Sequence, residues 1–335
     1  MKKFFTLFLA ALCCATIFAS EETTWAVTID GKKMTADVYL PNEKYMPAPV
    51  FVLIPAMGGT GTNALGNTPL KPLFQSERYA FVAINYTTYP QASNGTGFPL
   101  QINEIRGAIR EFLRYGADYE KLDTTFVVVA GFSLGGYLAA LAGVTKNIDS
   151  YTVGSETWNF SGAAGSYPVD AVIDFSGPVE YRDIDGCTHD GFEVAESDWM
   201  MIGCKYADCP DKWALASANT YITKDAPPMF ISHGTSDNVV PYCVSETFYN
   251  NLKAAGVDCE FFTHEKGHTE NPGGEFTTKV VNFVHRVRAA KQSQGIESPS
   301  LQGRSGEATK YMMDGALYIA MPDGKIYNAQ GAEVK

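Results

Sequence analysis

The sequence predicts an α/β fold in which a mostly parallel sheet carries helices on both faces. Three continuous apolar runs have the composition of strands buried on both sides, namely Val50–Ile54, Ala80–Tyr86 and Phe126–Ala130. Between the second and third runs, the segment Leu100–Leu113 carries apolar residues at helical spacing. Alternating strands and helices are typical of crossover units, whose consecutive strands run parallel.

The other elements continue this alternation along the chain. The β-rich runs Ala26–Ile29 and Met34–Leu40 are joined by Asp30-Gly31, which is typical of a hairpin turn. They predict antiparallel strands at one edge of the sheet. Further predicted strands are Ala171–Phe175, Met229–Ser232 and Glu260–Phe262, and further predicted helices are Leu134–Ala142, Val244–Ala255 and Phe276–Ala289.

Composition and charge exclude several classes of protein. Of the 335 residues, 45% are hydrophobic and 19% charged, which is too apolar for an intrinsically disordered chain. The chain has 26 Lys and Arg residues against 37 Asp and Glu residues, a formal net charge of −11. Because phosphate backbones and anionic membrane surfaces attract basic proteins, we expect no nucleic-acid or membrane-surface partner.

The first 19 residues have the pattern of a secretory signal peptide. Lys2 and Lys3 precede the apolar stretch Phe4–Phe18, and Ala19 offers a cleavage position before Ser20. No later segment has 18 uninterrupted apolar residues, so no membrane span is expected after cleavage. The sequence therefore predicts a secreted, periplasmic or cell-surface protein.

Export would place the remaining five cysteines in an oxidising compartment, where disulfides form. An odd number leaves at least one thiol unpaired. We predict a bridge within the first of two clusters, while the spacing leaves the connectivity open. The spacings do not match a zinc site, and no metal is expected. The clusters are Cys187, Cys204 and Cys209, then Cys243 and Cys259.

Two regions interrupt the alternation of strands and helices. Residues 181–212 are polar and acidic, and we interpret them as a cap or rim insertion at the strand ends. Residues 291–308 are rich in Ser, Gly and Gln, which predicts a linker. Residues 309–335 then contain three strand-like runs that predict a short β meander, and the main domain is expected at 20–290.

The segment Gly131-Phe132-Ser133-Leu134-Gly135 matches the Gly-x-Ser-x-Gly nucleophile elbow. It follows a predicted buried strand and precedes a predicted helix, which is the context this motif requires. A serine on such a sharp turn projects its hydroxyl over the sheet, while the flanking glycines let strand and helix pass close together. The pattern predicts Ser133 as a catalytic nucleophile.

A serine nucleophile needs a base and an acid that orients it, and in this motif they follow in the order acid, then histidine. Asp237 comes just after the predicted strand Met229–Ser232, and His268 lies in a glycine turn after the next strand. We predict these two residues as acid and base. Asp174 is the competing acid and His264 the reserve base. We expect His233, at the end of its strand, to anchor the loop that carries Asp237.

An oxyanion forms when the serine attacks, and it needs backbone N–H donors. The motif places one donor at Leu134, directly after the nucleophile. The other should come from the loop after Val50–Ile54, where we favour Met57 with Gly58 as the alternative.

These motifs resemble the α/β-hydrolase superfamily, in the carboxylesterase branch that includes feruloyl-esterase-like and acetyl-xylan-esterase-like enzymes. The resemblance covers nearly all of the chain from about residue 26 to residue 290. It implies the α/β-hydrolase fold and catalytic roles for Ser133, Asp237 and His268. Where the family usually has His-Gly-Gly-Gly, this chain has Pro55-Ala56-Met57-Gly58. Residues 310–335 are weakly similar to C-terminal sorting or anchoring modules of secreted proteins in some Gram-negative bacteria.

The sequence therefore predicts a secreted bacterial serine carboxylesterase that needs no cofactor. Its expected substrates are small-molecule or polysaccharide esters, such as the acetyl and feruloyl esters of plant cell-wall polysaccharides. A serine peptidase or a lipase of the same fold is the alternative, although the acidic segment 181–212 is not the apolar lid expected of a lipase. A non-catalytic binding protein on a hydrolase fold is the alternative from another class.

Overall fold

A computed structural model describes residues 21–75, 77–88, 97–120, 122–159, 167–182, 187, 201–268, 270–295, 309–313, 316–320, 326–328 and 333–334. The predicted signal peptide, much of the predicted insertion 181–212 and residues 296–308 of the predicted linker lie outside the described residues. The chain divides into two compact units, residues 1–284 and 285–335.

The first unit contains ten strands among its described residues. In chain order they are β1 (Glu21–Ile29), β2 (Lys32–Leu40), β3 (Ala48–Ile54), β4 (Ala80–Asn85), β5 (Leu122–Phe132), β6 (Ser150–Val153), β7 (Glu156–Asn159), β8 (Ala171–Phe175), β9 (Met229–Gly234) and β10 (Cys259–His264). The helices are α1 (Gly61–Asn67), α2 (Leu70–Gln75), α3 (Leu100–Tyr119), α4 (Leu134–Val144), α5 (Pro210–Ala216), α6 (Tyr242–Ala254) and α7 (Gly274–Gly295), which continues past the end of the unit.

Eight of these strands form one sheet in the order β1-β2-β4-β3-β5-β8-β9-β10. The strands β1, β2 and β4 pair antiparallel, whereas every pair from β4 to β10 is parallel. The β1–β2 hairpin turns at Asp30 and Gly31, whose φ angles of 49° and 78° suit a tight two-residue turn. The predicted α/β architecture, with its antiparallel N-terminal edge, is confirmed.

Helices cover both faces of this sheet. On one face every residue of α4 is buried, and Gly136 lies against the side chain of Asp174 in β8. The next residue of β8, Phe175, points to the opposite face, where its ring lies 5.1 Å from that of Phe276 in α7. Because β5 and β8 are central strands, their carboxyl ends meet in the middle of the edge where functional loops cluster.

Short elements were absent from the sequence prediction. The helices α1, α2 and α5 have seven, six and seven residues, and β6 and β7 have four residues each. Helix α1 starts with a capping box between Thr60 and Asn63, and the Gly61 amide donates to the side chain of Asn85 in β4. Contacts distant in sequence stabilise such elements, so local periodicity does not reveal them.

Helix α7 extends beyond the prediction. It continues to Gly295, six residues past Ala289, so residues 291–295 of the predicted linker are helical. Lys and Gln there favour a helix, although apolar periodicity has ended. In the second unit, β11 (Thr309–Met313), β12 (Ala316–Ala320), β13 (Ile326–Asn328) and β14 (Glu333–Val334) form an antiparallel sheet of four strands, one more than the runs predicted.

Two disulfides connect cysteines within the described part of the chain. Cys204 and Cys209 form the bridge predicted within the first cluster, and Cys187 pairs with Cys243 across the two clusters. Among the described cysteines Cys259 is the unpaired one, and it is buried in β10. In the part of the chain that the structure describes, no helix combines the length and the apolar character needed to cross a membrane.

Candidate active site

Ser133 occupies the turn between β5 and α4 in a strained conformation. Its φ and ψ angles are 54° and −124°, outside the regions that residues with a side chain ordinarily occupy. Its N–H donates to the Phe175 carbonyl at 2.8 Å, and its carbonyl accepts from the Tyr137 N–H at 3.0 Å. These bonds hold the turn against a backbone strain of about 1–3 kcal/mol.

The glycines of the elbow allow main chains to approach closely. A Cβ atom at Gly135 would lie 2.1 Å from the Ile54 carbonyl oxygen, and one at Gly131 would lie 2.2 Å from the Gly135 carbonyl carbon. Both distances are far below van der Waals contact. The first residues of α4 therefore pass directly beside the ends of β3 and β5, where the loop after β3 begins.

The structure brings the three predicted side chains together. The His268 Nε2 atom lies 2.9 Å from the Ser133 Oγ atom, and the His268 Nδ1 atom lies 2.7 Å from the Asp237 Oδ2 atom. The Asp237 carboxylate accepts a hydrogen bond from the Nδ1–H group of His268, which leaves the unprotonated Nε2 atom to accept the serine proton. The side chain of Asp237 is fully buried, and that of His268 is 14% exposed. Ser133 is half-buried.

Asp237 is held ionised by a dense set of donors. Its Oδ1 atom accepts from the N–H groups of Val239 and Val240, both at 2.9 Å. Burial opposes ionisation, but hydrogen bonds from His233, His268 and these two amides outweigh it. They hold the pKa of this carboxyl well below its usual range.

His233 is a second histidine beside Asp237. Its side chain is fully buried, and its Nε2 atom lies 3.1 Å from Asp237 Oδ2 and 3.0 Å from the Val240 carbonyl oxygen. Its Nδ1 atom lies 2.6 Å from the Ser245 hydroxyl oxygen in α6. Through these contacts His233 anchors the loop that carries Asp237, as the sequence predicts.

The competing acid and the other histidines lie elsewhere. Asp174 is fully buried against α4, where its Oδ1 atom accepts from the Gly177 amide at 3.0 Å. Burial raises its pKa to about 7, against the opposing effects of His233 and of that amide. The His264 Nδ1 atom accepts from the Lys266 amide, and the contact with Ser133 is made by His268. His285 lies exposed on α7, and His189 falls outside the described residues.

The loop after β3 forms a turn from Ala56 to Gly59. The Gly59 N–H donates to the Ala56 carbonyl at 2.9 Å, and Gly58 has a φ of 72°. Gly59 is therefore committed to the turn, and the amides of Met57 and Gly58 remain as candidate oxyanion donors. The Met57 side chain is exposed, at 45%.

Sequence reasoning missed two residues that support these loops. The buried hydroxyl of Tyr86 donates to the Pro55 carbonyl at 2.9 Å and fixes the start of the turn. Burial raises the pKa of Tyr86, so it remains a donor at all ordinary pH values. Ser245 is the second residue, and its hydroxyl supports the loop carrying Asp237 through its contact with His233 Nδ1. Both contacts join residues from separate elements, and no local motif marks them. Within the described residues, no group of three or more His, Cys, Asp or Glu side chains is arranged to hold a metal.

The eight-stranded sheet, the strained serine elbow and its histidine together define a member of the α/β-hydrolase superfamily, in the carboxylesterase branch. The chain belongs to the BD-FAE family, whose model matches residues 36–252. That match includes the elbow and the loop carrying Asp237.

Individual relatives agree with this assignment. Esterase LipC of Mycobacterium tuberculosis is 27% identical over 234 residues, covering 68% of this chain and 52% of its own. The chain spans about half the length of the mycobacterial proteins it matches. A truncated carbohydrate esterase from gut microbiota has a TM-score of 0.68 and 26% identity, over 80% of this chain and 96% of that one. A bifunctional GH43-CE protein of Bacteroides eggerthii has a TM-score of 0.67 and 32% identity, over 79% and 38%.

Proposed function

We propose that this protein is a serine carboxylesterase that hydrolyses acyl esters through an acyl-enzyme intermediate. The observation that carries the proposal is the chain of contacts from Ser133 Oγ to His268 Nε2 at 2.9 Å and from His268 Nδ1 to Asp237 Oδ2 at 2.7 Å. A nucleophile, a base and an orienting acid in hydrogen-bond contact are what acyl transfer by a serine requires.

In the proposed mechanism, His268 takes the proton of Ser133 as the hydroxyl attacks the ester carbonyl. Asp237 fixes the imidazole tautomer and stabilises the imidazolium that forms. The amides of Leu134 and Met57 stabilise the oxyanion, and His268 then protonates the departing alcohol. Water activated by His268 attacks the acyl-enzyme, and Ser133 regains its proton as the acid leaves. The steps need no cofactor.

We further propose that the substrates are acetyl or feruloyl esters of plant cell-wall polysaccharides. The likeness to a carbohydrate esterase from gut microbiota supports a carbohydrate as the alcohol component. We also propose that the protein is exported. The signal-peptide pattern of residues 1–19 and the two disulfides support export, because disulfides persist in oxidising compartments.

Hydrolysis of p-nitrophenyl acetate by the wild type and by Ser133→Ala tests the reaction. We expect kcat to fall by about 10⁶-fold in the variant, the usual consequence of removing a triad nucleophile. Ser155→Ala, in the exposed β6–β7 turn, is the matched control and should behave as the wild type. Retained activity in Ser133→Ala would refute the assignment, and a wild type inactive on all esters would favour a binding protein. Release of acetate and ferulate from xylans then distinguishes the substrates.

A further inference from the structure

The Asp237 carboxylate has two imidazole neighbours on a single oxygen. Besides His268 Nδ1 at 2.7 Å, His233 Nε2 lies 3.1 Å from the same Oδ2 atom. The proposed mechanism uses only His268. His233 is fully buried at the end of β9, four residues before Asp237, and its ring has no access to substrate.

The partners of His233 determine its tautomer. A carbonyl oxygen only accepts hydrogen bonds, so the Nε2 atom, 3.0 Å from the Val240 carbonyl, carries a proton. The Ser245 hydroxyl, 2.6 Å from Nδ1, then donates to the unprotonated ring nitrogen. In this arrangement the Ser245 hydroxyl donates a hydrogen bond to His233 Nδ1. The Nε2–H group of His233 is shared between the Val240 carbonyl and the Asp237 carboxylate.

This arrangement fixes the position of Asp237 from three directions. The Val239 and Val240 amides bind Oδ1, while His233 and His268 bind Oδ2. The contact of His233 Nδ1 with Ser245 holds the ring against α6. Its Nε2 atom lies between the Val240 carbonyl oxygen and Asp237 Oδ2 and contacts both. Without His233, the carboxylate keeps its two amide donors on Oδ1, and among the described residues His268 alone remains as a donor on Oδ2.

We propose that His233, with its Nε2 proton fixed by the Val240 carbonyl and its ring held by Ser245, is a positioning residue that holds Asp237 Oδ2 against His268 for catalysis. The inference rests on the proposed serine esterase function. His233 acts only through Asp237, so its removal should slow acyl transfer with little effect on substrate binding.

Two substitutions at position 233 separate hydrogen bonding from packing. In His233→Gln the side-chain amide nitrogen takes the place of Nε2 and can donate to Asp237, whereas His233→Leu fills similar space without a donor. On p-nitrophenyl acetate, we expect kcat of His233→Leu to fall by about 10- to 100-fold while KM changes by less than about threefold. We expect His233→Gln to recover most of the lost rate. Equal losses in the two variants, or an unchanged kcat in His233→Leu, would overturn the proposal.

A double-mutant cycle tests whether His233 acts through Asp237. In an Asp237→Ala background, His233→Leu should leave the residual rate unchanged, because no carboxylate remains to be positioned. The same fold-loss in both backgrounds would show a general structural role and refute the inference. If His233→Leu does not fold, Ser245→Ala is used in the same cycle, with an expected loss of about 3- to 10-fold in the wild-type background only.

Ser133→Ala is measured alongside as a reference. An inactive Ser133→Ala together with a fully active His233→Leu would refute only the role of His233. Retained activity in Ser133→Ala, or no hydrolysis by the wild type, would refute the proposed function and this inference with it.

Discussion

The Ser133 Oγ and His268 Nε2 atoms lie 2.9 Å apart although 135 positions separate the two residues in the chain. Each residue follows a different strand of the same parallel sheet, β5 for Ser133 and β10 for His268. Asp237 follows β9 and lies between the two residues in the chain. Parallel strands place all three turns at one edge, so the fold assembles the site from turns that are far apart in the chain.

The two histidines near the end of β10 should differ sharply in function. His268→Ala removes the group that contacts Ser133, and we expect kcat to fall by about 10⁵- to 10⁶-fold. His264→Ala removes a side chain that accepts from the Lys266 amide, and the loss should stay within about tenfold. Steady-state hydrolysis of p-nitrophenyl acetate measures both. The reverse order of effects would identify His264 as the base.

Substitutions at Met57 test the second oxyanion donor. Met57→Ala keeps the backbone N–H and should retain most of the activity, since the side chain is exposed. Met57→Pro removes that N–H at the second position of the turn, where proline is well tolerated. We expect a loss of about 10²- to 10³-fold in kcat. A folded and fully active proline variant would move the donor to Gly58.

Asp174 should make the protein less stable as the pH rises. Burial raises its pKa to about 7 in the folded protein, whereas an unfolded aspartate titrates near 3.9. Between about pH 4 and pH 7 the folded state therefore holds a proton that the unfolded state releases, and the free energy of unfolding falls. Asp174→Asn removes this effect. Relative to the wild type, we expect the variant to gain up to about 4 kcal/mol between pH 4 and pH 8.

Urea denaturation at several pH values measures that difference. Asp225→Asn makes the same substitution at an exposed position and is the matched control. A difference between Asp174→Asn and the wild type that is constant from pH 4 to pH 8 would show that Asp174 does not titrate in this range.

Truncation after Gly295 tests the predicted domain boundary. The variant keeps the whole of α7 and removes residues 296–335, including β11–β14. All the residues of the proposed mechanism remain, so we expect unchanged kcat on p-nitrophenyl acetate and a Tm within about 2 °C of the full chain. A Tm lower by several degrees would make the meander part of the main fold. Loss of export at unchanged Tm would support a sorting role.

Local sequence signals were sufficient for the long elements and for the three proposed catalytic residues. The strands β3, β4 and β5 contain continuous apolar runs, and Ser133 lies in a motif that requires glycine on either side. Tyr86 and Ser245 were not predictable in the same way. Their hydroxyls meet Pro55 and His233 only after separate elements pack, and nothing in their neighbouring sequence indicates those contacts.

The pairing of Cys187 with Cys243 has a consequence for the order in which the protein matures. During synthesis Cys204 and Cys209 emerge before Cys243 does, so they can join while Cys187 still lacks its partner. Cys259 follows Cys243 in the chain, and its burial in β10 keeps its thiol away from the other cysteines in the folded protein. Burial there raises the pKa of the Cys259 thiol to about 11, which keeps it protonated and unreactive. Addition of β10 to the sheet therefore withdraws the Cys259 thiol from disulfide exchange, which favours the pairing of Cys187 with Cys243.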